Sequence, residues 1–205
     1  MLSMWTSLLL LFLPISPAPD QIHAAADANA ITPLLIGAKT PSVTVKDSAG
    51  KAVDLAEYVT EKPTVLVFYR GSWCPYCMKN LAQMEKLVPE LEALGYRIAA
   101  VTQDASEINA KTQAKHKLSF SIFSDPEMAA ADAFGLVFQV SPETTKLYKG
   151  YGIDLVGLYG RTSPVMAVPG VFLFNEEGKI RFQYVNPDYR IRLAPEVLMA
   201  AVKAN

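Results

Sequence analysis

The stretch that decides the fold is PTVLVFYRGSWCPYCMKNL, residues 63–81, which holds both cysteines of the chain, Cys74 and Cys77. Residues 63–69 form a continuous apolar run of β-prone side chains, which predicts a central strand buried on both faces. Apolar residues then recur at intervals of three and four, which predicts a helix from about Cys74 to Leu94 that ends at Gly95. The two cysteines therefore fall at a junction between a buried strand and a helix.

The rest of the chain continues this alternation of strands and helices. A hairpin is predicted around residues 48–50, and a second one joins residues 171–175 to 179–185. Strands are expected at 97–103 and 119–125, and helices at 106–117, 126–136 and 193–204. This order predicts an α/β fold with a central mixed β-sheet and helices on both faces, over residues 41–205. Residues 138–166 do not fit the alternation and are interpreted as an insertion, either a lid or a dimer surface.

Composition excludes several classes of protein. The chain has 205 residues, 19 basic and 20 acidic, and is 51% hydrophobic, which suits one domain of ordinary size. No basic stripe is present, so nucleic acid is not expected as a partner. Two cysteines exclude a disulfide-dense scaffold.

The amino terminus has the pattern of an export signal. The apolar run from Met4 to Ile15 is shorter than the about 20 residues that a membrane span needs, so no stable span is expected. Ala24 and Ala26 fit an A-x-A cleavage site, although no Lys or Arg precedes Lys39. We predict a signal peptide over residues 1–26, a flexible lead-in over 27–40, and export to the periplasm; the protein is cytoplasmic if the leader is not a signal.

The position of Cys74 favours a reactive thiolate. At the start of a helix the sulfur meets unsatisfied N–H groups and the positive end of the helix dipole, which lower a thiol pKa. Arg70 adds a second positive charge, and Pro75 suits the first helical turn. Cys77 lies on the same helical face, one turn deeper. We therefore expect Cys74 to be the exposed attacking sulfur and Cys77 the resolving one.

A pair of cysteines at this spacing has three other uses in proteins. A zinc site would need two more ligands, and the chain offers only His23 and His116. A permanent disulfide across two intervening residues would remove little chain entropy. Two inert thiols would not need the start of a helix. A redox-active pair is the favoured interpretation, and no cofactor or metal is predicted.

The segments FYRGSWCPYC, FSDPEMAAADAFGL and VPGVFLFNEEGKI resemble the thioredoxin superfamily, and most closely the peroxiredoxin-like redoxins of the alkyl hydroperoxide reductase/thiol-specific antioxidant (AhpC/TSA) group. The resemblance runs from about residue 37 to the C-terminus. It implies a thioredoxin-like fold and a thiol oxidoreductase. It also implies that Val168-Pro169 is the cis-proline pair that faces the dithiol, with the Val168 backbone pairing with a bound partner.

The chain departs from the peroxiredoxin pattern P-x-x-x-T-x-x-C at two positions, where it has Val67 and Gly71; Ser72 is one residue from the missing Thr. Pro169 stands where the family places an Arg. Arg70 and Arg161 are the candidates to supply that charge instead.

Three hypotheses follow from these residues. In the first, Cys74 reduces hydroperoxides and a thioredoxin-like donor reduces the Cys74–Cys77 disulfide. In the second, the same dithiol acts on protein disulfides. In the third, the protein is a non-enzymatic binding module, and Cys74 has an ordinary pKa.

Two further residues lie near the dithiol in this interpretation. Trp73 either shields the dithiol from water or serves packing alone, and Asp104 is a candidate proton carrier. The sequence does not predict the oligomeric state.

Overall fold

The computed structural model describes residues 22–205. Within that range, no helix combines the length and the apolar character needed to cross a membrane. Residues 1–21, with most of the predicted signal peptide, lie outside the described residues.

The apolar run 64–68 is an interior strand of a seven-stranded sheet. The strands are β1 (Thr44–Lys46), β2 (Ala52–Asp54), β3 (Thr64–Phe68), β4 (Arg97–Thr102), β5 (Ser121–Ser124), β6 (Val137–Gln139), β7 (Val165–Ala167), β8 (Gly170–Phe174) and β9 (Ile180–Val185). The strand order of the seven-stranded sheet is β2-β1-β5-β4-β3-β8-β9. Strand β3 pairs in parallel with β4 and antiparallel with β8, so the sheet is mixed. Strands β6 and β7 form a separate two-stranded sheet.

Successive residues of β3 point to opposite faces of the sheet, as strand geometry requires. Val65 and Val67 contribute to one core, and Leu66 and Phe68 to the other. The helices are α1 (Leu55–Glu61), α2 (Pro75–Glu85), α3 (Val88–Ala93), α4 (Ser106–His116), α5 (Ala129–Ala133), α6 (Pro142–Gly150), α7 (Leu155–Tyr159) and α8 (Pro195–Lys203). Helices α2, α3 and α8 pack in the first core, and α1 and α5 in the second. The predicted class, a central mixed sheet with helices on both faces, is confirmed.

The helix predicted from Cys74 to Leu94 is divided in two. Helix α2 ends at Glu85, and α3 begins at Val88 with a proline in its first turn. Pro89 has no N–H to donate to the carbonyl of Glu85, and its ring clashes with that carbonyl in a continuous helix. The predicted end is correct, since Leu94 is the C-cap and Gly95 has a φ of 83°.

Residues 138–166 fold as a small layer of their own. Helices α6 and α7 are joined to the β6–β7 sheet, and Val140, Leu155 and Met166 form its buried centre. Trp73, from the junction, packs against this centre. The predicted insertion therefore covers the strand-to-helix junction.

The segment before the domain, residues 22–40, lies against the second core. Ile31, Leu34 and Ala38 are partly buried there. Gly135 passes so close to the Thr32 carbonyl that a Cβ at Gly135 would overlap it. The predicted lead-in thus contacts the domain at Ile31, Leu34 and Ala38, whereas Leu35 and Ile36 are exposed.

Candidate active site

Cys74 caps the helix that follows β3. It is the N-cap of α2, with extended backbone, and Pro75 is in the first turn as the sequence predicts. The backbone N–H of Cys77 donates to the Cys74 sulfur over 3.4 Å. Both cysteines are free thiols. The predicted placement of the two sulfurs, one helical turn apart at a helix start, is what the structure shows.

The two thiols have opposite pKa shifts. The pKa of Cys74 is lowered to about 6, chiefly by a hydrogen bond from the Cys77 thiol, with Arg70 and Arg192 adding positive charge. Burial raises the pKa of Cys77 well above its ordinary value. At neutral pH the pair therefore holds a thiolate on Cys74 and a proton on Cys77. A binding module with an ordinary Cys74 does not predict this asymmetry.

The expected exposure of Cys74 is wrong. Cys74 is 1% exposed and Cys77 is 0% exposed. The sequence pattern places Cys74 at a helix start, where sulfurs are often open, but it contains no signal that the inserted layer reaches over the junction. A large substrate cannot contact the sulfur in this conformation.

Arg70 lies in an aromatic enclosure beside the dithiol. Its guanidinium carbon is 4.9 Å from the ring centre of Trp73, 5.3 Å from that of Tyr148 and 3.9 Å from that of Tyr189. It donates to the Tyr148 hydroxyl, and its Nε is buried with no hydrogen-bond partner among residues 22–205. Arg70 thus supplies a positive charge beside the Cys74 thiolate, as the sequence predicts. Its Nε–H remains available as a hydrogen-bond donor.

A second chain of contacts ties the inserted layer to the junction. Tyr159 donates to the carboxylate of Asp104 over 2.9 Å and accepts from Trp73 Nε1 over 2.7 Å. The backbone N–H of Ser72 donates to the other oxygen of Asp104 over 2.7 Å. Asp104 follows β4, and the parallel strands β3 and β4 end at the same edge of the sheet, which brings these groups together.

The role of Asp104 differs from that of a solvated proton carrier. The carboxylate is 2% exposed. Burial raises its pKa, and the hydrogen bonds from Ser72 and Tyr159 partly offset that rise. Asp104 therefore positions the junction and the inserted layer. Trp73 takes part in the same chain, so its role exceeds simple packing.

Gly71 occupies the position of the family threonine, and the structure shows why no side chain is present. Its φ is 151°, and a Cβ there would lie 2.7 Å from the Tyr159 hydroxyl and overlap Trp73. The Tyr159–Trp73 contact thus excludes a threonine from this position. The N–H of Ser72 is engaged by Asp104.

The cis-proline expectation at Val168-Pro169 is wrong. Among residues 22–205 no peptide bond is cis. The N–H of Val168 donates to the carbonyl of Leu136 over 2.9 Å, and Val168 is buried. This hydrogen bond continues the β6–β7 pairing, so the Val168 N–H is not free to pair with a bound peptide.

Of the two arginines expected to supply charge, only Arg70 does so. Arg161 instead donates to the carbonyl of Pro126 and pairs with Glu127. The second charge comes from Arg192, whose Nη2 lies 3.3 Å from the Cys77 sulfur. Sequence reasoning missed Arg192 because it lies in the irregular segment before α8, where no periodicity or motif marks it.

The fold that carries the dithiol is of the thioredoxin-like class. The model of the AhpC/TSA family matches residues 36–183. The chain belongs to the AhpC/TSA family.

Two kinds of curated relative match the chain. It is 28% identical over 145 residues to peroxiredoxin Bcp of Bacillus subtilis, which covers 71% of this chain and 81% of that protein. It is 26% identical over 158 residues to the thiol-disulfide oxidoreductase ResA of Bacillus anthracis, which covers 77% of this chain and 74% of that protein. Both support an oxidoreductase that is peroxiredoxin-like or acts on disulfides.

Solved structures confirm the thioredoxin-like fold. The reduced Prx3 of Vibrio vulnificus, solved in complex with H2O2, aligns with a TM-score of 0.67 at 16% identity over 82% of this chain and 99% of that one. Peroxiredoxin Q of Xanthomonas campestris aligns with a TM-score of 0.63 at 21% identity over 83% of this chain and 96% of that one. At these identities the likeness concerns the fold alone.

Proposed function

We propose that this protein is a peroxiredoxin-like thiol peroxidase in which Cys74 reduces hydroperoxides and Cys77 resolves the product as a Cys74–Cys77 disulfide. The observation that carries the proposal is the Cys74 sulfur, whose pKa is lowered to about 6 while the sulfur is 1% exposed beside Arg70. A thiolate at this pKa is the reactive form at neutral pH, and its enclosure favours a small oxidant.

The chemistry runs in three steps. The Cys74 thiolate attacks one oxygen of the hydroperoxide, so an S–O bond forms, the O–O bond breaks, and the alcohol or water leaves with a proton. The Cys77 sulfur then attacks the Cys74 sulfenic acid, which forms the disulfide and releases water. A thioredoxin-like dithiol donor reduces that disulfide and becomes a disulfide itself.

Arg70 has two tasks in the first step. Its charge stabilises the Cys74 thiolate. Its Nε, buried and without a partner among the described residues, can donate to the oxygen on which negative charge develops as the O–O bond breaks. This arrangement takes the place of the family threonine and arginine, whose positions hold Gly71 and Pro169.

The competing proposal is thiol-disulfide exchange with protein substrates. The similarity to ResA and the Cys-Pro-Tyr-Cys spacing support it. Against it are the burial of both sulfurs and the engagement of the Val168 N–H by Leu136. A protein disulfide would require the inserted layer to move first, whereas a peroxide needs only a narrow path.

A coupled assay separates the two. Purified protein receives hydrogen peroxide in the presence of thioredoxin, thioredoxin reductase and NADPH, and a parallel sample receives insulin and dithiothreitol. We expect NADPH consumption that requires Cys74 and peroxide, and insulin reduction near the uncatalysed rate. Rapid insulin reduction with peroxide turnover no faster than that of a free thiol would establish the competing proposal.

A further inference from the structure

The Cys77 sulfur lies beside an N–H donor of Arg192. The Arg192 guanidinium approaches it to 3.3 Å. A neutral thiol is a weak acceptor, whereas a thiolate accepts strongly from charged and backbone donors. Arg192 therefore favours the Cys77 anion and opposes the burial that raises the pKa of that thiol.

Within the part of the chain that the structure describes, Arg192 has no other charged partner. Among residues 22–205, no carboxylate lies within 4.0 Å of its guanidinium. Its Nε is buried with no hydrogen-bond partner in the same range. A guanidinium that is partly removed from water without a counter-ion carries a desolvation penalty. A negative charge on Cys77 would offset that penalty.

We propose that the Arg192 guanidinium forms an anion site for the Cys77 thiolate, the species that attacks the oxidised Cys74. The proposal rests on the proposed peroxidase cycle and assigns its second step. Arg192 acts here as a catalytic residue, since its Nη2 touches a reacting sulfur.

In this step the Cys77 proton leaves and the Cys77 thiolate attacks the Cys74 sulfur. The S–S bond forms, the S–O bond of the sulfenic acid breaks, and hydroxide departs and takes up the proton as water. Cys77 is oxidised and Cys74 is reduced, so no external oxidant is needed. When a donor thiolate later attacks Cys74, the Cys77 thiolate leaves into the same site.

Arg70 and Arg192 thus act on different cysteines of the dithiol. The Arg70 side chain acts mainly on Cys74. Arg192 contacts Cys77, and its effect on the Cys74 pKa is the smallest of those that act on that group. Loss of Arg192 should therefore slow the resolution step much more than the peroxide step.

The kinetic test follows the two steps separately. Reduced protein is mixed with saturating hydrogen peroxide, quenched at intervals, and analysed by mass spectrometry for Cys74 sulfenic acid and for the disulfide. In Arg192→Met we expect disulfide formation to slow about ten- to hundredfold, the effect of one hydrogen bond to a charged group. Sulfenic acid formation should change less than about threefold.

Two further variants separate charge from packing. Arg192→Lys keeps the charge and should recover part of the resolution rate. Arg190→Met, two residues away, removes an exposed arginine that pairs with Asp188, and should leave both steps unchanged. Equal slowing of both steps in Arg192→Met, or an unchanged resolution rate, would overturn the proposal.

A titration of the Cys77 thiol tests the anion site in the absence of peroxide. The Cys77 pKa is measured by ultraviolet thiolate absorbance in Cys74→Ser and in Cys74→Ser/Arg192→Met. Removal of Arg192 should raise the Cys77 pKa by about one unit or more, and no rise would refute the site. If the wild-type protein fails to react with peroxide, the proposed function falls, while this titration still tests the site.

Discussion

The hydroxyl of Tyr159 donates a 2.9 Å hydrogen bond to the buried carboxylate of Asp104. This bond joins the inserted layer to the end of β4, directly beneath the redox junction. The same hydroxyl accepts from Trp73. A single oxygen of the layer therefore contacts both Asp104 and Trp73 beside the dithiol.

Tyr159→Phe should loosen this cover. The change leaves the Trp73 N–H and one oxygen of Asp104 without their partner, which should lower the free energy of unfolding by about 1–3 kcal/mol. We also expect faster alkylation of Cys74 by iodoacetamide. The control is Tyr151→Phe, because Tyr151 is 70% exposed. Urea unfolding with unchanged stability and unchanged alkylation would contradict a structural role for Tyr159.

The Cys74 thiolate should dominate well below the pH at which ordinary thiols ionise. Its pKa is lowered to about 6, so the alkylation rate should rise through about pH 6 and level off above about pH 7. The largest cause is the hydrogen bond from the Cys77 thiol. Cys77→Ala should therefore move the midpoint upward, whereas Cys77→Ser keeps an O–H donor and should move it less. A wild-type midpoint near the ordinary value of about 8.5 would contradict the account.

Restoring the family threonine should damage the protein. Gly71→Thr places a side chain against the Tyr159 hydroxyl and Trp73 at a positive φ, and we expect it to cost about 2–4 kcal/mol of unfolding free energy. Gly50→Thr is the matched control, since Gly50 has a φ of 83° with nothing within 4 Å of an added Cβ. Its cost should stay near about 1–2 kcal/mol. If urea unfolding gives the same loss of stability for Gly71→Thr and Gly50→Thr, the clash with Tyr159 and Trp73 does not explain the glycine at position 71.

Residues 22–26 should contribute to stability. The N–H of Ala25 donates to the Val137 carbonyl, the Ala25 carbonyl accepts from Gln139, and Ile22 and Ala24 pack on the second core. We propose export with cleavage after Ala26, and this cut would remove these contacts. A chain that starts at Asp27 should unfold at lower urea concentration than one that starts at Ile22, by about 1–3 kcal/mol. Equal midpoints would show that the segment is dispensable.

The export proposal is tested by determining the N-terminal residue of the protein recovered from periplasmic and cytoplasmic fractions.

Local sequence patterns were sufficient for the framework. The apolar run that became β3 and the apolar spacing after Cys74 predict a buried strand followed by a helix, because burial and periodicity are local properties. The same patterns place Cys74 at the N-cap and Pro75 beside it. Pro89 marks the break between α2 and α3, which the apolar periodicity alone does not predict.

The surroundings of the dithiol were not predictable in this way. Arg192 reaches Cys77 across 115 residues of chain, and Tyr159 reaches Asp104 across 55. These contacts depend on how the inserted layer and the segment before α8 fold back, which no local pattern records. The cis-proline assignment failed because it was carried over from the family, while β6–β7 pairing engages the Val168 N–H in this chain.

The most direct test of the account is stopped-flow reaction of the reduced protein with hydrogen peroxide, beside Cys74→Ser and Cys77→Ser, with dimedone to trap sulfenic acid. The account predicts rapid peroxide consumption that vanishes in Cys74→Ser, and a dimedone adduct on Cys74 that accumulates in Cys77→Ser. Consumption at the rate of a free thiol, with no adduct on Cys74, would contradict it.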